Sequence, residues 1–430
     1  MSSLLIQNAL VIDPARKLEK KLNLLIEDGR ISYIGPNILP GGRAGCELYD
    51  ASGLWLMPGL IDMHVHTREP GMERAEDLKS AAMAAAAGGF TSILAMPNTE
   101  PPADNPALIR RLRAKAEGLP VNIYFSAAVT RGRAGRKLAD LKALKKAGAL
   151  AFTDDGACVA DPDILKKALK LAKQMNVPVL EHAESFALTG PGVMHDCARA
   201  CSLKVPGIPR EAEIFMVLRD LLLAGATGGP LHLQHLSCFE SARLVAAAKA
   251  AGLKITAETC PHYFTLTCGN VKSADFKMKP PLRESGDREA LKNGLADGTI
   301  DVIASDHAPH TAAAKAKGLL KAPFGVIGLE TTLGLALTEL FYQGAVSRLR
   351  LAELLSVNPA RILGLKNKGG LAPGMDADLT LIDPLVEYRV GPRFYSKSAN
   401  SPFIGRRLKG RAAATIVGGR FVYLAGRDFP

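Results

Sequence analysis

Aromatic residues are scarce in this chain: they make up 5% of its 430 residues, with a single Trp. Surfaces that stack unpaired bases need aromatics interleaved with basic side chains, and no such run occurs. The net charge of +12 therefore reads as a solvated basic surface, with no nucleic-acid partner expected. Its Lys and Arg residues are scattered among Ala and Leu in segments such as 136–146 and 165–173, a charge that also suits acidic substrates or an acidic partner surface. Paired cysteines are missing too. None of the seven (46, 158, 197, 201, 238, 260 and 268) forms a CxxC, and Cys197 and Cys201 have no second pair to complete a zinc site. Reduced, mostly buried thiols are the expectation, and a disulfide framework is excluded. Long apolar runs are absent: the most apolar stretch, 81–97, is broken by Gly88-Gly89 and reads as helix, turn, strand rather than a membrane span. The opening Met-Ser-Ser-Leu-Leu-Ile-Gln-Asn lacks the basic and apolar regions of a signal peptide, so a cytoplasmic location is expected. There is no dinucleotide fingerprint and no P-loop.

What is present is an alternation. Apolar, strand-like runs recur at 59–66, 91–96, 121–129, 149–153, 177–182, 230–236, 254–258 and 300–306. Helix-like stretches fall between them, among them 75–87, 106–117, 138–147, 162–175, 211–224, 239–251 and 287–296. Such a pattern predicts a parallel sheet with crossover helices, and its length favours a closed (β/α)8 TIM barrel over an open doubly wound sheet. The two ends differ from the middle. Residues 1–55 read as short strands with an Asp-Gly hairpin signal at 28–29, and 371–430 has the same texture. Both termini are expected to build one small β-sandwich domain, 1–55 with 371–430, around a catalytic barrel over 56–370.

Within the barrel, the ends of the strands carry the chemistry. Strand one ends in Asp62-Met63-His64-Val65-His66, where alternation puts both imidazoles on one face and Met63 and Val65 on the other. Strand four runs into Asp154-Asp155, strand five ends at His182, strand six carries His232 and His235, and strand eight ends at Asp306. Scattered structural histidines would not line up this way. The set exceeds what one catalytic zinc needs and suits a pair of metals sharing a carboxylate, able to polarise a carbonyl and supply a nucleophile at neutral pH. Asp306 is the candidate proton acceptor, as a ligand, a base or both.

The stretches PGLIDMHVHTREPG, GGFTSILAMPNTEPPAD, AFTDDG, KPPLR, ASDHAPH, KAPFGVIGLET and SPFIGRRLKG together resemble class I dihydroorotase of the amidohydrolase superfamily, over nearly the whole chain. That resemblance implies a zinc-dependent cyclic amide hydrolase that closes N-carbamoyl-L-aspartate reversibly to L-dihydroorotate in pyrimidine biosynthesis. It implies two zinc ions: His64 and His66 on one, His182 and His235 on the other, Asp155 bridging, and Asp306 contacting the first as catalytic base. It further implies substrate contacts from Arg68, Asn98 and His310 to a carboxylate and from Phe324 and Gly325 to the ring. Self-association is expected, and aspartate carbamoyltransferase is a possible partner.

Two choices rest on parity and spacing. His232 and His235 have opposite parity, so only His235 is expected at the mouth, with His232 in packing. Family spacing to His182 favours Asp155 over Asp154 as the bridge. The chain departs from the family at Lys279, where KPPLR replaces NPPLR, and in the Ala/Lys-rich segment 311–320, expected to be a lid or a partner-binding loop. The competing readings are another cyclic amidohydrolase, such as an allantoinase or hydantoinase, and an inactive scaffold for aspartate carbamoyltransferase.

Overall fold

The computed structural model describes residues 3–37 and 46–427; the outermost parts of the expected terminal β segments, and 38–45, lie outside the described residues. Eight parallel strands follow one another from Leu60–Val65 through Phe90–Ala95, Asn122–Ala127, Ala151–Phe152, Val179–Glu181, Leu231–Leu233 and Ile255–Thr259 to Val302–Ile303. Adjacent members pair in sequence order, for example Ser92 with Asn122, Val179 with Leu231 and Glu258 with Val302. The ring closes where Val65 bridges His307 and the His66 N–H donates to the His307 carbonyl at 2.9 Å. This is the expected barrel.

Helices cover it on the outside because each strand's outward residues are apolar. Leu60, Ile93, Phe125, Phe152, Val179, Leu231, Leu233 and Ile255 share a buried core with Leu108, Leu144, Leu165, Val217 and Val245 of the helices. Inside the barrel, Ile61, Met63, Leu94, Met96, Ala151, Leu180, Val302 and Ala304 form a separate apolar floor. Local chemistry sets where the helices begin and end. Helix Pro162–Met175 starts with Asp161 accepting from the Asp163 and Ile164 amides and with Pro162 in its first turn; it ends at left-handed Asn176. The helix expected over 75–87 begins later, at Leu78, because Asp77 and Ser80 form a reciprocal cap that holds 75–77 out of the helix.

Strands from both termini build one further eight-stranded sheet. Ser3–Asp13, Leu18–Glu27, Arg30–Gly35, Cys46–Asp50 and Trp55–Pro58 come from the N-terminal side; Leu379–Arg389, Arg407–Val417 and Arg420–Leu424 come from the C-terminal side. The Asp28-Gly29 pair is left-handed at both positions, as a tight hairpin of this kind requires. The sheet curls until that turn meets Gly418–Gly419, with the Ala377 N–H on the Gly29 carbonyl and the Gly419 N–H on the Ala377 carbonyl. It thereby encloses its own core of Leu4, Ile6, Leu24, Ile26, Leu56, Leu379, Leu381 and Ile416. The expected sandwich is thus one sheet folded over itself. Among the described residues no helix is long and apolar enough to cross a membrane.

One carboxyl in this framework links stability to pH. Glu330, which accepts from the Tyr395 and Ser396 amides, is pushed from 4.5 up to about 7 by burial, against the pull of those two hydrogen bonds. Its folded value lies above its unfolded one, so the native state is favoured while the group keeps its proton. Stability is lost as pH rises from about 4.5 to about 7, by at most about 3 kcal/mol. Melting curves recorded from pH 5 to pH 8 should show this decline, and Glu330→Gln should flatten it. An equal decline in both proteins would assign it to other groups.

Candidate active site

Strand one does not keep simple alternation. Its pairing with Phe90–Ala95 shifts between Asp62 and Val65. Met63 therefore joins Ile61 in the interior floor, while Val65 joins the outer core. The expectation that Met63 and Val65 share a face is corrected: an irregularity of this kind inserts a residue and re-aims the side chains beyond it. Both His64 and His66 reach the interior just above the Met63 layer. Asp62, buried and pushed up to about 7 by that burial, accepts from the His64 and Ser305 amides and ties the first strand to the eighth.

Asp155 stands between four imidazoles. Its oxygens lie 3.2 Å from His64 Nε2, 3.5 Å from His66 Nε2, 3.7 Å from His182 Nδ1 and 3.8 Å from His235 Nε2. The donor atoms converge as two buried groups, His64–His66–Asp155 and Asp155–His182–His235, that share the carboxylate. Asp306 Oδ1 completes the cluster at 3.1 Å from His66 Nε2 and 3.5 Å from His64 Nε2. Burial would raise the Asp306 pKa, but the His64 charge and the His66 hydrogen bond hold it well below the usual carboxylate range. Asp154 is turned away: it accepts from the Thr130 amide and hydroxyl.

The parity argument for strand six also needs correction. His232 and Gln234 both point inward, and His235 reaches the mouth as well because its φ of +33° reverses the alternation. Asp306 and Arg68 are left-handed too, at +46° and +58°. Non-glycine residues pay for that conformation, and here three of them stand around one cavity. His232 is not mere packing. Its Nε2 lies 3.1 Å from Glu258 Oε2, while Glu258 Oε1 lies 2.7 Å from His64 Nδ1.

Glu258 is one of two supports that sequence reasoning missed; the other is Glu184, whose Oε2 lies 3.0 Å from His182 Nε2. Burial would raise both carboxyls. Glu258 is instead brought to about 2 chiefly by its hydrogen bonds to His232 and His64, and Glu184 to about 2 by His182 and then Lys279. Glu184 carried a usable signal, since it lies two residues after His182 and so on the same side of the chain. Glu258, two strands from His64 in the pairing order, carried none. The third outer nitrogen, His66 Nδ1, meets Asn98 Oδ1 at 2.8 Å. Asn98 thus spends its oxygen on a histidine and keeps its amide NH2 for the cavity.

These donors fit divalent metal. His64 Nε2 is buried with no hydrogen-bond partner, and His182 Nδ1 and His235 Nε2 face each other at 2.8 Å. The opposite nitrogens of His64, His66 and His182 are each held by an oxygen, which fixes ring orientation in the way that metal-binding histidines need.

The cavity in front of the cluster measures about 240 Å³ and is walled by Arg68, Asn98, Lys279, His310, Phe324 and Gly325 besides the cluster itself. Arg68 is buried. Its Nε donates to the Pro309 carbonyl at 3.0 Å, and Nη2 stands 3.3 Å from His310 Nε2. His310 is brought down to about 3 by burial and then by the Arg68 charge, so it is neutral and its Nε2–H donates to the Phe324 carbonyl at 2.7 Å. Gly325 must be glycine: at φ +129° a Cβ would lie 2.7 Å from Ala308 Cβ and 3.1 Å from His310 Nε2. Its N–H donates to the Lys277 carbonyl and its carbonyl accepts from Asn400.

Segment 311–320 is ordered into short helical turns, Ala312–Lys315 and Gly318–Lys321, clamped from below. Buried Lys315 donates to the carbonyls of Ala274 and Pro323, and Lys277 donates to that of Leu320. His307, His262 and His195 lie outside the cluster. His307 pairs with Glu76 at 3.1 Å, His195 stands beside Arg283 at 3.1 Å, and buried His262 is held near 4 by desolvation.

Residues 55–422 match the model of the amidohydrolase family. The chain is 48% identical to a protein named dihydroorotase from Pelotomaculum thermopropionicum, over 97% of this chain and 98% of that one. It is 46% identical to a dihydroorotase from Pelobacter propionicus, over 98% and 99%. Among solved structures it resembles the L-hydantoinase (dihydropyrimidinase) of Arthrobacter aurescens, with a TM-score of 0.88 at 25% identity, over 100% of this chain and 98% of that one. The dihydropyrimidinase of Brevibacillus agri superposes with a TM-score of 0.86 at 25% identity, over 98% and 95%.

Proposed function

The chain belongs to the amidohydrolase family, and on that premise we propose that it works as a dihydroorotase, interconverting N-carbamoyl-L-aspartate and L-dihydroorotate. The observation that carries this reading is a buried arginine, Arg68, in the same small cavity as two histidine pairs around one carboxylate. An amide-cleaving centre beside a fixed guanidinium suits a cyclic amide that bears a carboxylate.

His64 and His66 would hold one divalent ion, His182 and His235 a second, with Asp155 between them and Asp306 toward the first; zinc suits this imidazole-rich set. Bound there, such ions supply Lewis acidity toward the amide carbonyl and toward water. The rest falls to the chain. In the hydrolytic direction, Asp306 is low enough in pKa to be ionised in the free site and takes the proton from the attacking water. As the carbon–nitrogen bond of the ring breaks, it returns that proton to the departing ureido nitrogen. Cyclisation runs the same steps backwards. Arg68 and Asn98, the latter through its NH2, hold the carboxylate, while His310, whose Nε2–H is taken by the Phe324 carbonyl, lines the same wall. The backbone around Phe324 and Gly325 limits the ring's position, although both Gly325 groups already have partners within the protein.

Ultraviolet loss of dihydroorotate by metal-loaded protein, with allantoin and hydantoin run in parallel, tests the assignment. Turnover of dihydroorotate alone is expected. Turnover of hydantoin alone would place the chain with its structural neighbours instead, and no turnover, with or without aspartate carbamoyltransferase, would leave it a scaffold.

Arg68→Met should raise KM and lower kcat together. Losing a charge-assisted, two-pronged contact is worth about 1.5–3 kcal/mol, or roughly 10- to 150-fold in kcat/KM. Steady-state kinetics in both directions would show it; an unchanged response to substrate would remove Arg68 from the carboxylate.

A further inference from the structure

Asp155 is pinned through its main chain on both sides of its Cα. Its N–H donates to Thr153 Oγ at 2.9 Å, and the Thr153 hydroxyl in turn donates to Gln234 Oε1 at 3.1 Å. On the other side, the Asp155 carbonyl accepts from Arg133 Nη2, which also lies 3.3 Å from the Asp154 carbonyl. Among the described residues no backbone N–H reaches the Asp155 carbonyl. Arg133 belongs to the turn Arg131–Arg133 after strand three, where Gly132 and Arg133 are both left-handed, at φ +64° and +53°. Thr130, at the head of that turn, binds the Asp154 carboxylate through its amide and its hydroxyl. One turn thus grips the Asp154–Asp155 segment twice, Thr130 by a side chain and Arg133 by the main chain.

Arg133 occupies an unfavourable setting. The left-handed conformation strains a residue with a Cβ, and its Nε is buried without a partner. Burial also works against its charge, opposed by the Asp155 and Asp154 carboxylates that the guanidinium faces. All of this is tolerated at one place, behind the carboxylate that four imidazoles share. We propose that Arg133 is a positioning residue for the metal centre: by fixing the Asp155 carbonyl it keeps the Asp155 carboxylate between the two histidine groups, so that one side chain serves both ions. Without Arg133 the Asp155 peptide is free to turn, and the carboxylate would favour one group at the expense of the other. Because Arg133 grips the main chain, it does not need the Asp154 side chain, whose loss should leave the metal in place. Gly156, and not Arg133, walls the cavity, so the effect on chemistry passes through Asp155. This role presupposes the metal reading of the site, whichever cyclic amide enters it.

The test measures zinc affinity, by competition with a chromophoric chelator, in wild type, Arg133→Met and Arg133→Lys. Visible spectra of the cobalt-loaded proteins, melting temperatures and steady-state kinetics on dihydroorotate are recorded beside it. Arg133→Met should weaken zinc binding about 10- to 100-fold, the usual worth of a group that orients a metal ligand, and should alter the cobalt absorption bands because the bridging oxygens move. At saturating zinc its kcat should remain about 10-fold down with KM little changed. Arg133→Lys should recover part of the affinity and of the spectrum, since an ammonium keeps the charge and can reach the same carbonyl. Wild-type zinc affinity and an unchanged cobalt spectrum in Arg133→Met would overturn the proposal, whatever happens to the melting temperature. So would a rise in KM with metal binding intact, which would put Arg133 on the substrate. An equal loss of metal in the Met and Lys variants, in step with a fall in melting temperature, would make the turn a support of the fold alone and overturn it too. Wild-type protein that binds no zinc overturns the metal reading and this role with it. Wild-type protein that binds zinc but does not turn over dihydroorotate overturns only the substrate, and the zinc and cobalt measurements still decide what Arg133 does.

Discussion

Asp155→Ala is expected to abolish turnover and most metal binding together. The carboxylate lies within 3.8 Å of a nitrogen on each of His64, His66, His182 and His235, so removing it withdraws a ligand from both groups at once. Burial would raise its pKa, yet the His64 charge and the neighbouring imidazoles of His182 and His235 hold it far below the normal range, so the group is ionised and ready for metal at neutral pH. Lewis-acid stabilisation is worth several kcal/mol, which makes the loss in kcat on the order of a thousandfold or more. Elemental analysis of protein loaded with zinc and desalted gives the direct reading: wild type retaining up to two ions per chain, the variant far less. Near-normal metal content in the variant would mean that the two groups do not share Asp155. Asp154→Ala is the matched control. Asp154 faces Thr130 rather than the histidines, so that variant should keep its metal.

Asp306→Ala should separate the two properties. Four histidines and Asp155 remain in place, so most of the metal should stay bound, while turnover falls by about 10²–10⁴-fold, the usual worth of a positioned general acid–base. Asp306 Oδ1 is near His66 and His64 but belongs to neither triad that shares Asp155, which is why it can be lost without emptying them. Elemental analysis and the dihydroorotate assay on the same preparation decide the matter. Normal rates would move the proton transfer to another group; parallel loss of metal and activity would make Asp306 chiefly a ligand.

Much of this site was legible because a parallel barrel turns a one-dimensional pattern into a place. Eight apolar runs separated by amphipathic ones mark eight strands, and residues at strand ends meet at one mouth wherever they stand in the chain. That logic brings His64, His182, His235 and Asp306 together without a single measured distance. It falters where backbone geometry departs from the average. The irregularity at 62–65 moves Met63 into the barrel floor, and the left-handed turn at His235 defeats parity, so that His232 and His235 both face inward. Periodicity assumes regular dihedrals, and catalytic strand ends are where that assumption is least secure.

The amino-acid sequence by itself determined the barrel, the joining of both termini in a second β unit, the family, and the histidines and carboxylates available for metal. These follow from hydrophobic period and residue type, which are local properties. Only the tertiary structure decided which of Asp154 and Asp155 lies between the imidazoles, and that Glu258 joins His64 to His232. It likewise decided that Glu184 stands between His182 and Lys279. Those relations couple residues that lie far apart in the chain, and they depend on strand register and on side-chain reach to a fraction of an ångström. No period in the sequence encodes them.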